Sequence, residues 1–195
     1  MIPFMDPGTA RAGFVLAGGN SSRMGQDKAR LPLHGKTLLE HVAAAVAEAA
    51  GSVTLVGAPE RYQNLGFRIL PDSHPGWGPL AAIHTALTDS RADWNLIVAC
   101  DMPLISAAFL QSLLDAAESS GADCLIPSGP SGRPEPLCAV YHSRCRDAVG
   151  AALDRNVRKV TDGLAGLRIA PWIVPESRCF RNVNTPEEWA HYLHG

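Results

Sequence analysis

The sequence has little charge, few aromatic residues and no long apolar stretch. Charged residues make up 18% of the 195 residues, and the formal net charge is −2. Binding of nucleic acid through bulk electrostatics usually requires a strongly basic domain, so that function is disfavoured. No apolar run approaches the roughly 18 residues that a membrane span needs, and residues 1–13 contain Pro3, Asp6 and Pro7 where a secretory signal would be apolar. We expect a soluble, cytoplasmic protein without nucleic-acid or membrane partners.

Cysteine pairs and the two most familiar nucleotide motifs are also missing. The five cysteines are an odd number, and none are spaced as C-x-x-C. This argues against a disulfide framework and a zinc ribbon and favours a reducing compartment. No G-x-G-x-x-G is present. Gly35-Lys36-Thr37 matches only the end of a Walker A loop, because Arg30 stands where that motif needs its first glycine.

Short apolar runs alternate with segments of helical periodicity along the chain. The predicted strands are 14–17, 53–57, 67–70, 94–100, 123–127, 137–141 and 167–174, and the predicted helices are 37–50, 79–88, 107–118, 144–153 and 186–193. This alternation predicts a Rossmann-like α/β fold, with a single doubly wound, mainly parallel sheet. One domain would span residues 1–195, with residues 1–12 as a flexible N-terminal extension. Ligands of such sheets bind beyond the carboxyl ends of the strands, so residues that follow strands are the site candidates.

The loop after the first predicted strand carries the strongest ligand-binding signal. Gly18 and Gly19 let the backbone approach an anion closely. Arg23 and Lys28 add two cations within the same short loop. The combination indicates a polyphosphate site, whereas two glycines alone would indicate a simple strand-to-helix turn.

Polar side chains follow other predicted strands. Asp101 ends the most apolar strand, where a carboxylate could hold Mg²⁺ or serve only as a turn or cap residue. Asp72 precedes the Gly- and Pro-rich loop 73–79, which could form a flap on the substrate side. Asn182 and Asn184 occupy alternate positions of an extended segment, so both amides can point the same way. Local turn and cap chemistry is the alternative explanation for these two amides.

Arg133 lies in the segment Gly132-Arg133-Pro134-Glu135-Pro136, directly before an apolar strand. Its guanidinium could meet an anionic substrate. A rigid turn bounded by prolines, with a solvated arginine, explains the same residues equally well. The sequence leaves both interpretations open.

These motifs together resemble the molybdenum cofactor guanylyltransferase family. The matching segments are the glycine loop with Arg23-Met24-Gly25 and Asp27-Lys28, Gly78-Pro79-Leu80, Asp101-Met102-Pro103 and Asn182-Val183-Asn184-Thr185-Pro186. They occur in family order and extend over nearly the whole chain. The first motif is shared by a wider set of nucleotidyltransferases, and the last is more specific.

The resemblance implies a nucleotidyltransferase that moves GMP from GTP to the terminal phosphate of molybdopterin or Mo-molybdopterin and releases pyrophosphate. By the family pattern, Lys28 and Arg23 contact the triphosphate, Asp72 contacts the nucleotide, and Asp101 binds Mg²⁺ beside it. The nucleotide is cradled by the first loop, at Leu16, Ala17, Gly18 and Gly19. Arg23, Lys28 and Asp101 would be the catalytic residues, because they offset the charge that develops during phosphoryl transfer.

The resemblance also implies an acceptor side of the site and further partners. Asn182 and Asn184 would lie near the metal or the pterin, and Arg133 is a candidate contact for the acceptor. Molybdoenzyme clients or cofactor-delivery proteins are the further partners to expect. One departure is visible: Val56-Gly57 stands where some relatives carry an asparagine, so the nucleotide contact of that asparagine is not expected here.

Two other functions fit parts of the same pattern. The first is a related nucleotidyltransferase that uses CTP, or that acts on a sugar or alcohol phosphate. In the relatives Leu-Ala-Gly-Gly accompanies guanine and Leu-Ala-Ala-Gly accompanies cytosine, and residues 16–19 of this chain have the former pattern. The second is a non-catalytic nucleotide-binding carrier of the cofactor. The presence of Arg23, Lys28 and Asp101 argues against it, because a carrier needs no metal-binding carboxylate.

Overall fold

A computed structural model describes residues 10–18, 27–33, 35–175, 177–183 and 185–194. The strands are β1 (Arg11–Leu16), β2 (Pro32–Leu33), β3 (Lys36–Thr37), β4 (Thr54–Val56), β5 (Arg68–Leu70), β6 (Trp94–Ala99), β7 (Cys124–Ser128), β8 (Cys138–His142) and β9 (Ile169–Ile173). The α-helices are α1 (Leu38–Ala50), α2 (Pro59–Tyr62), α3 (Pro79–Asp89), α4 (Ala107–Ser120), α5 (Cys145–Asp154), α6 (Val160–Gly163) and α7 (Pro186–His194). Short 3₁₀ turns occupy Lys28–Arg30, Gln63–Leu65 and Ser177–Phe180. Within this part of the chain, no helix is both long and apolar enough to cross a membrane.

Seven of the strands form one central sheet in the order β5-β4-β1-β6-β8-β7-β9. β8 runs antiparallel to both of its neighbours, and the other adjacent strands are parallel. All six residues of β6 are buried, as expected for a strand covered on both faces. The predicted α/β fold with a single, mainly parallel sheet is confirmed.

Helices cover both faces of this sheet. Val15 of β1 belongs to a buried cluster that includes the apolar sides of α1 and α4. Phe14 and Leu16 belong to a second cluster, with the apolar sides of α3 and α5. Successive residues of a strand point to opposite faces, so each strand contributes to both cores. This is the doubly wound arrangement that the sequence predicts.

The first strand starts earlier than predicted. β1 begins at Arg11 and pairs with β6 from its first residue, so residues 11 and 12 belong to the sheet and not to an N-terminal extension. Gly13 hides this in the sequence, because a glycine usually indicates a weak point in a strand. In the structure, a Cβ atom at Gly13 would lie 2.4 Å from Val46 Cγ1. The glycine is therefore explained by the close packing of α1 on β1.

Cap interactions fix both ends of α1. The Thr37 hydroxyl accepts a hydrogen bond from the Glu40 amide, and the Glu40 carboxylate accepts one from the Thr37 amide, which completes a capping box. Gly51 ends the helix in the left-handed region, with φ of 76°. The Walker-like residues Gly35-Lys36-Thr37 therefore form a hairpin strand and a helix cap. The β2–β3 hairpin itself, with α2 and α6, is too short to show a periodicity in the sequence.

Candidate functional site

The candidate site lies where the chain changes sides within the sheet. From β1 the chain goes to β4 and β5 on one side, and it then returns to β6 on the other side of β1. The carboxyl ends of β1 and β6 are joined by a hydrogen bond from the Cys100 amide to the Leu16 carbonyl, 3.2 Å long. Loops diverge at such a switch point and leave a crevice for a ligand. The turn after β1 and Asp101 after β6 therefore line one crevice.

The turn after β1 packs closely against β4, and its first glycine, Gly18, is exposed to solvent. The Ala17 amide donates to the Val56 carbonyl at 2.8 Å. Gly57 packs against the same turn, because a Cβ atom at Gly57 would lie 3.0 Å from the Ala17 carbonyl oxygen. Gly18 is exposed, and a Cβ atom there would meet no protein atom within 4 Å. Gly19 and Arg23, the other predicted residues of this loop, lie outside the described residues.

Lys28 is positioned by a network built on Asp27. The Asp27 carboxylate accepts hydrogen bonds from the Ala29 amide at 3.2 Å and from the Tyr62 hydroxyl at 3.3 Å. Its second oxygen pairs with Arg61 Nη2 at 2.8 Å. These contacts cap the 3₁₀ turn and attach it to α2. Sequence reasoning named Asp27 only as part of a motif, because α2 lies far along the chain and its contact with Asp27 has no local signal.

Lys28 and Asp101 meet across the crevice. Lys28 Nζ lies 3.5 Å from Asp101 Oδ2, and both side chains are largely buried. Burial raises the pKa of the Asp101 carboxyl above its usual range, and the positive charge of Lys28 opposes this. The buried Asp101 carboxylate, next to the single positive charge of Lys28, can therefore bind a further cation. The structure places these two predicted residues together.

A backbone hydrogen bond from the next residue, Val183, holds Asn182 near Asp101. The Val183 amide donates to the Asp101 carbonyl at 3.1 Å, and the Val183 side chain is buried. Asp101 Oδ1 and Asn182 Oδ1 are both buried oxygens without a hydrogen-bond partner in the described part of the chain. Unsatisfied buried oxygens are rare and call for a ligand or an ion. Asn184, the second predicted amide, is not among the described residues.

The two oxygens fit a small divalent cation. Mg²⁺ prefers oxygen ligands and is usually held by one or two protein carboxylates together with phosphate oxygens and water. Among the described residues, no group of three or more His, Cys, Asp and Glu side chains could hold a metal ion. A metal at this corner would therefore depend on Asp101, with Asn182 beside it, and on oxygens from the substrates.

Asp72 follows β5 at the same edge of the sheet. Its Oδ1 accepts hydrogen bonds from the His74 amide at 3.0 Å and from the Thr85 hydroxyl at 3.3 Å. Thr85 belongs to α3, so these bonds attach the start of loop 73–79 to that helix. In the strand order, β5 and β1 both lie on the same side of β6, so Asp72 and the glycine turn lie on the same side of Asp101. The family resemblance implies nucleotide contacts for both Asp72 and this turn.

Arg133 and its neighbour Glu135 lie on the opposite side of Asp101. Arg133 is exposed and follows a turn closed by a bond from the Gly132 amide to the Gly129 carbonyl, 2.9 Å long. Glu135 is half-buried, and the charge of Asp101 contributes to the elevation of its pKa, after burial itself. Sequence reasoning did not select Glu135. Its closeness to Asp101 depends on β8 lying antiparallel beside β6, and no local pattern predicts that pairing.

A separate surface depression lies away from these residues. It has a volume of about 620 Å³ and lies between α3 and α5, with His74, Trp77, His84, Asp147 and Asp154 among its lining residues. Lys28, Asp101 and Asn182 are not part of its lining. The converging charges at the β1–β6 switch point are therefore the stronger indication of a site.

Comparison with known proteins places this chain in a family. A sequence model described as "MobA-like NTP transferase domain" matches residues 13–168. The chain is 36% identical over 191 residues to the molybdenum cofactor guanylyltransferase of Xanthomonas euvesicatoria, with 93% of this chain and 94% of that protein covered. It is 35% identical over 187 residues to a probable molybdenum cofactor guanylyltransferase of Methanothermobacter thermautotrophicus, with 89% of this chain and 94% of that protein covered.

A solved structure agrees with the sequence matches. The crystal structure of molybdopterin-guanine dinucleotide biosynthesis protein A from Archaeoglobus fulgidus superposes with a TM-score of 0.79 at 29% identity. The superposition covers 92% of this chain and 95% of that one. The match therefore extends across the sheet and both of its helical layers. From the sequence, the fold and the site together, the chain belongs to the family of MobA-like NTP transferases and is a nucleotidyltransferase.

Proposed function

We propose that this protein transfers GMP from GTP to the terminal phosphate of molybdopterin or Mo-molybdopterin and releases pyrophosphate. The observation that carries the proposal is the contact of Lys28 with Asp101 at the β1–β6 switch point, 3.5 Å apart. It joins a cation suited to phosphate with a carboxylate suited to a metal. The names of the relatives at 35% and 36% identity support guanine as the base and the molybdenum cofactor as the product.

The sheet order supports a separate side of the site for each substrate. The open turn at Gly18, the Lys28 turn and Asp72 all lie on the β1–β4–β5 side of Asp101. Exposed backbone amides and a lysine suit the triphosphate. Arg23 belongs to the same loop in the sequence and would contact the same phosphates. The β8–β7 side, with Arg133 and the segment around Asn182, remains for the acceptor.

The chemical step joins two anions. A phosphate oxygen of the acceptor attacks the α-phosphorus of GTP in line with the departing pyrophosphate. A bond forms from the acceptor oxygen to the α-phosphorus, and the bond from that phosphorus to the pyrophosphate oxygen breaks. The positive charge of Lys28 would offset this repulsion without having to reorganise during the reaction. When bound by Asp101 with Asn182 beside it, Mg²⁺ would supply further positive charge to the phosphate oxygens.

No protein nucleophile is required for this reaction. The attacking oxygen belongs to a phosphate that is already ionised at neutral pH. Cys100, the thiol closest to Asp101 in the sequence, is unsuited to nucleophilic attack because burial raises its pKa to about 12. The charged side chains of the crevice therefore act by positioning and electrostatics.

The test of the proposal is a complete reaction with purified protein. GTP, Mg²⁺ and molybdopterin are incubated together, and mass spectrometry is expected to detect the guanine dinucleotide product with an equal amount of pyrophosphate. Omission of molybdopterin is expected to abolish pyrophosphate release. A dinucleotide formed in preference from CTP would contradict the guanine assignment. Binding of GTP without pyrophosphate release, in the presence of an acceptor that a known family member converts, would indicate a carrier.

Two glycine substitutions separate nucleotide contact from packing. Gly57→Ala is expected to lower the free energy of unfolding by about 1 kcal/mol and to raise the KM for GTP several-fold, because its methyl group presses on the Ala17 carbonyl. Gly18→Ala meets no protein atom within 4 Å. It is therefore expected to leave unfolding unchanged and still to raise the KM for GTP, because the methyl group occupies space proposed for the nucleotide. Urea denaturation and steady-state kinetics measure both effects, and an unchanged KM for Gly18→Ala would contradict the placement of GTP.

A further inference from the structure

Glu135 is held in place by the backbone on both sides of its Cα atom. Its amide donates to the Pro127 carbonyl of β7 at 2.8 Å, and its carbonyl accepts from the Cys138 amide of β8 at 3.0 Å. The next residue is also fixed, because the Tyr141 hydroxyl donates to the Pro136 carbonyl at 2.6 Å. The carboxylate therefore projects from a rigid corner of the sheet and not from a loose loop.

This corner lies directly beside Asp101. β8 pairs with β6 in antiparallel register, with Val98 opposite Cys138, and the Ala99 amide donates to the Leu137 carbonyl at 2.7 Å. The end of β6, which leads to Asp101, and the start of β8, which follows Glu135, are therefore neighbours. Consistent with this, burial raises the pKa of Glu135 and the negative charge of Asp101 adds to that increase. Burial also raises the pKa of Cys179, in the 3₁₀ turn that precedes Asn182, and the charge of Glu135 contributes to it.

The Glu135 carboxylate has no hydrogen bond or salt bridge to any other residue in the described part of the chain. Burial raises its pKa above the usual range, and the nearby charge of Arg133 opposes this. A half-buried anion next to a second carboxylate is unfavourable in the free protein. It becomes favourable when a ligand supplies hydrogen-bond donors to it. Glu135 therefore has the properties of a recognition group and not of a structural one.

The position of Glu135 in the sheet favours contact with the acceptor over contact with GTP. In the strand order β1-β6-β8, Asp101 lies between the glycine turn and Glu135, so Glu135 faces the acceptor side. A carboxylate repels the acceptor's phosphate but can accept two parallel hydrogen bonds from neighbouring N–H groups. The aminopyrimidinone edge of a pterin presents such a pair, from N3 and the 2-amino group. We propose that Glu135 is a specificity residue for the acceptor and that its carboxylate accepts hydrogen bonds from the N–H edge of the pterin.

The inference rests on the proposed function, and its test compares Glu135→Gln with wild-type protein. The substitution keeps the shape of the side chain and removes its charge. The KM for molybdopterin is expected to rise about 10- to 100-fold, the usual range for loss of a hydrogen bond to a charged group. The KM for GTP and the Mg²⁺ concentration for half-maximal rate are expected to stay unchanged. Glu48→Gln, on the exposed side of α1, makes the same chemical change away from the site and should behave as wild type.

Three outcomes would overturn the assignment. An unchanged KM for molybdopterin in Glu135→Gln shows that the carboxylate does not recognise the acceptor. A higher Mg²⁺ requirement with an unchanged acceptor KM makes Glu135 a metal ligand instead. Inhibition of wild-type protein by free pterin is expected to exceed inhibition by lumazine, which has a carbonyl in place of the 2-amino group. Equal potency, including no inhibition by either, contradicts recognition of the amino edge. Failure of the proposed function itself is distinct, because wild-type protein would then form no dinucleotide.

Discussion

Turnover by Asp101→Asn is expected to fall about 100-fold or more at saturating GTP and Mg²⁺, the loss typical for removal of one preorganised electrostatic group. Asp101 supplies the carboxylate at the β1–β6 switch point, and its Oδ1 is buried without a partner in the described part of the chain. The amide is similar in shape but carries no charge, so it would hold a cation far more weakly. Steady-state pyrophosphate release measures the change. A direct readout is Mn²⁺ binding by electron paramagnetic resonance, which is expected to weaken in parallel.

A loss of stability would not explain this effect. Burial raises the pKa of the Asp101 carboxyl, so ionisation of this group destabilises the folded state as the pH rises through and above its unfolded-state pKa. The free energy of unfolding of Asp101→Asn should therefore be unchanged or higher than that of wild type. Asp147→Asn on α5, at a side chain 85% exposed, is the matched control and should retain wild-type turnover. Near-normal turnover of Asp101→Asn would remove Asp101 from the catalytic machinery.

Removal of the Lys28 ammonium group in Lys28→Ala is also expected to lower turnover about 100-fold or more. Lys28 is the described cation closest to Asp101, and the Asp27 network fixes the turn that carries it. The alanine variant would leave the triphosphate and the acceptor phosphate to repel each other with less compensation. The decrease should appear mainly in kcat, because the charge that Lys28 offsets increases as the pyrophosphate departs.

Kinetics of Lys159→Ala provide the control for this variant. Lys159 precedes α6, 73% of its side chain is exposed, and its ion pair is with Asp162. Its removal takes away the same charge without touching the crevice, so turnover should remain at the wild-type level. If Lys28→Ala raised only the KM for GTP and kept kcat, Lys28 would bind the ground state and the transition state equally. That result would contradict its proposed catalytic role.

The parts of the fold predictable from sequence are those with a strong local signal. α1 shows apolar residues at helical spacing, a Thr37–Glu40 capping pair and a terminal glycine, and the structure has all three. β6 is a continuous apolar run followed by an aspartate, and it is the fully buried strand that leads to Asp101. Such features depend on neighbours in the sequence, so they need no knowledge of distant contacts.

The position of Glu135, in contrast, has no local signal in the sequence. Its significance depends on β8, which crosses to lie antiparallel beside β6 between parallel strands. Strand order is set by how whole layers of helices pack, and a single sequence contains no periodicity that encodes it. The same holds for Asp27, whose partners Arg61 and Tyr62 are supplied by a helix of four residues.

The sequence is sufficient to predict the α/β class, to identify the residues at the ends of the strands, and to single out Lys28 and Asp101 in a chain with a net charge of −2. These follow from local composition and periodicity. Only the packing of the sheet brings Lys28 to Asp101, attaches Asn182 to Asp101 through the Val183 amide, and places Glu135 next to Asp101 on the β8 side. The charge of the crevice comes from side chains that are far apart in the sequence, so no local pattern predicts that they meet.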